Sequence, residues 1–86
     1  MEKRNKCICC GYFTLIEDKE DIWWDICPVC YWENDIVGTE LDEYSGANHM
    51  TLRQGQDNYR IYFSCDVNMA KYVRPPKKEE LPEYNL

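Results

Sequence analysis

The sequence has no apolar run longer than a few residues. A membrane-spanning helix needs about 20 such residues in a row, so that class is excluded. The start of the chain, Met1 to Lys6, is charged and leads into no apolar stretch of the kind a secretory signal requires. Export is therefore not expected, and a cytoplasmic location is. Histidine is almost missing: His49 stands alone, in a polar stretch, and reads as exposed filler. Positive charge is also short, with 10 basic residues against 16 acidic ones and a formal net charge of −6. Nucleic-acid binders need a positive footprint to displace counterions from phosphates. DNA and RNA are thus poor partners for this chain, and a protein carrying a basic patch suits it better.

What the chain does have is cysteine. Six occur in 86 residues. A chain this short buries only roughly 60% of the surface its unfolded form exposes. Domains of that size generally need a disulfide, a metal or a partner to stay folded. Disulfides are rare in a reducing compartment, so the cysteines read first as metal ligands.

Their spacing supports that reading. Cys7-x2-Cys10-x16-Cys27-x2-Cys30 has two Cys-x-x-Cys pairs separated by a stretch long enough to fold back as a hairpin. This matches a tetrahedral four-thiolate zinc site. Two residues between cysteines let a tight turn aim both sulfurs at one ion. Gly11 follows the first pair, where such a turn often needs positive φ. Pro28 follows Cys27 and sets φ for the second turn. One zinc and four thiolates together would take the formal charge from −6 to −8. Cys9 lies between the first two ligands and competes with Cys10 on paper. Cys7 with Cys10 is preferred because it repeats the spacing of Cys27 and Cys30 and puts Gly11 directly after the second ligand. Cys9 is then an inert small side chain or a thiol activated by the nearby metal. Cys65 reads as a small buried hydrophobe.

Around the ligands the pattern predicts a small α+β fold. A zinc-ribbon-like β-hairpin carrying the two Cys turns comes first, with one or two helices after it. Tyr12 to Ile16 and Ile22 to Ile26 are the two hairpin strands, and Glu17 to Asp21 is the turn between them. Residues 33–48 read as a loop that holds five acidic residues and no basic one. Residues 51–63 read as a helix opened by a capping box, Thr51 with Gln54. Its apolar face is Leu52, Gly55, Tyr59, Tyr62 and Phe63. Gly55 costs about 1 kcal/mol inside a helix, so its place on that face implies close backbone approach to the hairpin. Residues 66–73 read as a second short helix with Asp66 as N-cap, ended by Pro75 and Pro76. The domain is expected to span 1–76, with 77–86 a mobile tail. The aromatics Trp23, Trp24, Tyr31 and Trp32 flank the ligands and suit a core that shields the metal. The candidate interaction surface is Trp23, Trp32, Glu40, Asp42 and Glu43.

Four segments in order resemble one known family. They are Lys6-Cys-Ile-Cys-Cys-Gly-Tyr12, Ile26-Cys-Pro-Val-Cys-Tyr-Trp-Glu33, Ser45-Gly-Ala-Asn48 and Val73-Arg-Pro-Pro76. The chain resembles the bacterial cysteine-rich CPCC family over roughly residues 6–76. The resemblance implies a small bacterial protein with a zinc ribbon and implies no activity. One departure is that the family's name motif has proline where this chain has Ile8, which loosens the first turn but leaves the sulfurs in place.

Four functions fit these residues unequally. A structural zinc module acting as a protein–protein adaptor fits best, because a shell of four cysteines leaves no coordination position for water or substrate. A rubredoxin-like iron electron carrier is the next reading, since paired Cys-x-x-Cys turns also hold iron. A thiol enzyme using Cys9 or the Cys27–Cys30 pair lacks a histidine or other base placed near in sequence. A nucleic-acid-binding zinc ribbon conflicts with the acidic charge. No catalytic constellation is found, and the chain is not expected to be an enzyme.

Overall fold

A computed structural model of the chain describes residues 4–16, 25–35 and 37–85. The described residues form a small α+β fold with two short antiparallel ribbons and one α-helix. Strand β1 (Arg4–Asn5) pairs with β2 (Leu15–Ile16), in the register Arg4 with Ile16 and Asn5 with Leu15. Strand β3 (Tyr44–Ser45) pairs with β4 (Met50–Thr51), Tyr44 opposite Thr51 and Ser45 opposite Met50. A single antiparallel bridge joins Ile26 to Glu33. Each Cys-x-x-Cys turn therefore sits at the tip of its own small ribbon. The expected partner of the 12–16 strand was 22–26. Among the described residues, its second half pairs with the lead segment before Cys7. Residues 17–24 lie outside the described residues, including Trp23, Trp24 and the expected hairpin turn.

Helix α1 (Leu52–Tyr62) forms where the capping residues place it. The Thr51 hydroxyl accepts from the Gln54 amide at 3.2 Å, and the Gln54 side chain accepts from the Thr51 amide at 2.9 Å. Two of the amides that a helix start leaves unpaired are thus satisfied within four residues. The helix stops at Phe63, which turns left-handed (φ 58). Its amide still donates to the Tyr59 carbonyl at 3.0 Å. Leu52 and Gly55 are buried, whereas Tyr62 and Phe63 are exposed. The packed stripe is thus narrower than the sequence pattern implies. The chain has already left the cysteine cluster by the last turn of α1. A 3-10 helix, Val67–Tyr72, follows in place of the expected second α-helix. Asp66 caps it by accepting from the Asn68 amide at 2.9 Å.

The acidic stretch from Glu33 onward is not a bare loop. It ends in the β3–β4 ribbon, whose tight turn puts His49 at φ 59. Asn48 ties this ribbon to the second Cys turn. Its carboxamide accepts from the Glu33 amide at 2.8 Å and donates to the Glu33 carbonyl at 3.0 Å and to Ser45 Oγ at 2.9 Å. A side chain thus supplies both bonds a neighbouring strand would make, which accounts for the Ser45-Gly-Ala-Asn48 segment.

The end of the chain departs most from expectation. Residues 77–85, which the composition predicts to be a mobile tail, are docked on the domain through two 3-10 turns, Lys78–Glu80 and Pro82–Asn85. Glu80 is the anchor and is buried. Its carboxylate takes two bonds from the Arg74 guanidinium, at 2.8 and 2.9 Å, and one from the Lys77 amide at 2.8 Å. Its carbonyl accepts from the Phe13 amide at 2.8 Å. A mixed charged and proline-rich composition suggested disorder. One carboxylate with an arginine six residues before it and a backbone partner across the fold holds it in place.

The core is unusual in its chemistry. Among the described residues, five of the eight buried members of its main cluster are cysteines: Cys7, Cys9, Cys27, Cys30 and Cys65. Val29, Trp32 and Leu52 supply the rest, with Ile8, Tyr12, Tyr31, Met50 and Tyr59 packed against them.

Candidate metal centre

The two Cys turns repeat one bonding pattern. The Cys7 amide donates to the Tyr12 carbonyl at 2.8 Å and the Gly11 amide to the Cys7 carbonyl at 2.8 Å. Likewise, the Cys27 amide donates to the Trp32 carbonyl at 2.9 Å and the Tyr31 amide to the Cys27 carbonyl at 2.8 Å. Each turn closes through a residue with positive φ, Gly11 at 84° and Tyr31 at 73°. Glycine adopts that conformation freely, while tyrosine does so at a cost on the order of 1 kcal/mol. The Tyr31 ring lies 5.9 Å from that of Tyr72. Ile8 and Pro28 occupy equivalent places, and both carbonyls are used. Gln56 Nε2 of α1 donates to the Ile8 carbonyl at 2.9 Å, and the Arg74 amide donates to the Pro28 carbonyl at 3.2 Å. The Cys30 carbonyl accepts from the Cys65 amide at 2.7 Å. Helix, 3-10 helix and C-terminal segment are thereby all fastened to the turns.

The four sulfurs of Cys7, Cys10, Cys27 and Cys30 lie within 4.8 Å of one another. Cys7 Sγ is 3.6 Å from Cys30 Sγ, and Cys10 Sγ is 3.8 Å from Cys27 Sγ. Disulfide sulfurs would stand about 2.05 Å apart, and all six cysteines are free thiols. Thiolates about 2.3 Å from a tetrahedral ion stand about 3.8 Å from each other. The spacing fits a four-coordinate metal ion and does not fit disulfides.

Electrostatics within the cluster points the same way. Hydrogen bonds from the Cys10, Cys30 and Cys7 thiols hold the Cys27 thiol well below the usual thiol range, and Thr14 Oγ1, 3.1 Å from the sulfur, adds to this. The Cys10 thiol is pushed up, chiefly by its bond to Cys27. Cys30 is pushed up by its bonds to Cys10 and then Cys27. The contacts thus bias Cys27 toward the thiolate and Cys10 and Cys30 toward the thiol. A cation among the sulfurs would relieve the mutual repulsion of thiolates at these distances. The Trp32 amide donates to Cys30 Sγ at 3.4 Å and lowers the charge on that sulfur.

The remaining residues singled out from sequence fall as follows. Cys9 and Cys65 are buried outside the quartet, and burial pushes the Cys65 thiol up. Trp32 is buried at 2% exposure, which removes it from the candidate interaction surface. The reason is Gly55: a Cβ there would stand 2.7 Å from the Trp32 ring and 3.3 Å from Cys9 Sγ, so α1 lies directly on the indole. Glu40, Asp42 and Glu43 are exposed. Two of them have internal duties. Asp42 pairs with Arg53 at 2.8 Å, and Glu43 Oε1 accepts from the Gly38 and Thr39 amides at 2.8 and 3.1 Å. Sequence reasoning missed the roles of Thr14, Asn48, Arg74 and Glu80. Asn48 was marked only by the Ser45-Gly-Ala-Asn48 segment, and Arg74 and Glu80 by opposite charges six residues apart around a Pro-Pro pair.

A small α+β fold organised around four clustered cysteines is the class that this geometry defines. The chain belongs to the cysteine-rich CPCC family, whose model matches residues 5–80. That match includes both Cys turns, the Asn48 ribbon and the segment as far as Glu80. No curated protein and no solved structure matches the chain. Among the described residues no helix is long and apolar enough to cross a membrane.

Proposed function

We propose that the chain is a structural zinc-binding module of the zinc-ribbon kind, acting as a protein–protein adaptor in a bacterial cytoplasm. The observation that carries the metal half is the sulfur quartet, with contacts of 3.6 and 3.8 Å close to the edge of a tetrahedral thiolate site. Cys7, Cys10, Cys27 and Cys30 would hold the ion, which supplies charge neutralisation and cross-linking rather than a reactive position. A closed thiolate shell leaves no site for substrate, and this favours a binding role over catalysis. Two surface features suit an adaptor. One is the acidic stretch around Glu40, and the other is an apolar groove of about 490 Å³ lined by Tyr12, Tyr59, Tyr62, Phe63, Val73 and Pro76.

The test of the metal half is elemental analysis of protein from its own host, followed by chelation. One zinc per chain is expected, with loss of the folded circular-dichroism spectrum when a strong chelator removes it. One iron per chain and a red colour would replace this reading by electron transfer. A spectrum indifferent to chelation would end both. The adaptor half is checked by co-purification from the host with the wild type beside Phe63→Ser and Glu40→Lys. A partner retained equally by all three would not be held by these surfaces.

A further inference from the structure

The four sulfurs are not equally enclosed. Cys7 is 2% exposed and Cys27 and Cys30 are 0% exposed, whereas Cys10 is only half-buried. Cys10 lines an open hollow of about 300 Å³ together with Lys6, Cys9, Gly11, Gln56 and Arg60. Gly11 beside it adds no side chain, and a Cβ there would meet no other residue within 4 Å. Lys6 and Arg60 stand on the rim of that hollow. Arg60 also bonds Asp57 on the helix surface. Of the two cysteines outside the quartet, Cys9 borders the same hollow but is only 7% exposed, and Cys65 is 2% exposed. Directly behind Cys10 Sγ, at 3.8 Å and in hydrogen-bond contact, lies Cys27 Sγ.

We propose that Cys10 is a modification site for small hydroperoxides, and that its oxidation closes a disulfide with Cys27 and expels the ion. This rests on the metal-centre reading above. The Cys10 thiolate attacks one oxygen of hydrogen peroxide; the O–O bond breaks and hydroxide leaves, giving a sulfenic acid. The Cys27 thiolate then attacks that sulfur; the S–O bond breaks and a second hydroxide leaves. Two protons from solvent convert the hydroxides to water, and the two electrons lost by the sulfurs are those gained by the peroxide. Closing the bond needs the sulfurs to move from 3.8 Å to about 2.05 Å, a displacement that side-chain rotation supplies. The ion keeps two ligands of four, Cys7 and Cys30, and dissociates. The domain becomes an oxidant-responsive metal-releasing unit whose trigger is the one ligand a solute can touch.

The experiment uses the full zinc-loaded chain at neutral pH. Limiting maleimide should label Cys10 about tenfold ahead of any other cysteine, by peptide mapping. Hydrogen peroxide should release one zinc for each equivalent consumed, read with a chromogenic indicator, with Cys10–Cys27 as the first disulfide. Labelling that begins at Cys9 or Cys65, labelling uniform over all six cysteines, or a first disulfide between Cys7 and Cys30 would each overturn the proposal. Because Cys10→Ser weakens the site itself, the supporting variant is the double substitution Cys9→Ala with Cys65→Ala. It should release zinc to peroxide at the wild-type rate, and a tenfold slowing would assign the chemistry elsewhere. Protein that carries no metal would sink the metal reading. Protein that carries one zinc but oxidises at another residue would sink only the assignment to Cys10.

Discussion

Thr14 shows how one hydroxyl adjusts the centre. It is buried, and its oxygen lies 3.1 Å from Cys27 Sγ. A hydroxyl donating to a bound thiolate lowers the charge that sulfur presents, and partners of this kind are worth about 10–100-fold in metal affinity. Thr14→Val keeps the shape and removes the donor. Zinc affinity in a competition titration should fall by about tenfold, with the spectrum of the loaded protein unchanged. Gly11 gives a second case at this scale. It needs a φ of 84°, yet an added methyl would touch nothing. Gly11→Ala should therefore cost only the conformational term, about 1 kcal/mol in the urea midpoint of the loaded protein. A loss of metal binding would mean that the turn tolerates no side chain there for reasons beyond φ.

Among the elements, α1 was the most legible in sequence. Its start is written in two residues, Thr51 and Gln54, whose bonds are local and need nothing from the rest of the fold. Its burial was legible in part. Gly55 on the apolar side announced a close neighbour, and the neighbour is Trp32. Gly55→Ala improves helix propensity by about 1 kcal/mol but forces a methyl into an indole 2.7 Å away. Overpacking of that kind costs about 1–3 kcal/mol, so the substitution should destabilise on balance, measured by urea unfolding. A stabilised protein would show that the helix can lift off the ring. The ribbons were less legible, because strands of two residues carry too little alternation to reveal their partners. The pairing of Leu15–Ile16 with Arg4–Asn5 depends on the turn between them, and periodicity says nothing about that. The ligand quartet stood out for the opposite reason: spacing within a tight turn is a local property, and it occurs twice.

At the scale of the molecule, the parts that sequence did not reveal are the long-range ties. Arg74 and Glu80 join the second Cys turn, through the Pro28 carbonyl, to the first, through the Phe13 amide. The bidentate Arg74 bond, with the Lys77 amide, holds the Glu80 carboxyl below its ordinary range, against the opposing effect of burial. A carboxylate depressed in this way adds stability above its unfolded value, about pH 4.3, and that contribution is lost as pH falls through the lower folded value. Acid also protonates the thiolates, so the test compares two proteins. The stability gap between wild type and Glu80→Gln should be about 2–3 kcal/mol near neutrality and shrink below about pH 4. A gap that stays constant with pH would mean that Glu80 acts by packing alone.

Cys30 completes the ligand set, whereas the residues that wrap it, from Leu52 to Glu80, come later in the chain. On a ribosome the sulfurs therefore emerge first, on a segment still open to solvent. A nascent chain could thus meet an ion at these sulfurs before any lagging element hinders entry, whereas in the folded chain the described residues leave a hollow beside Cys10.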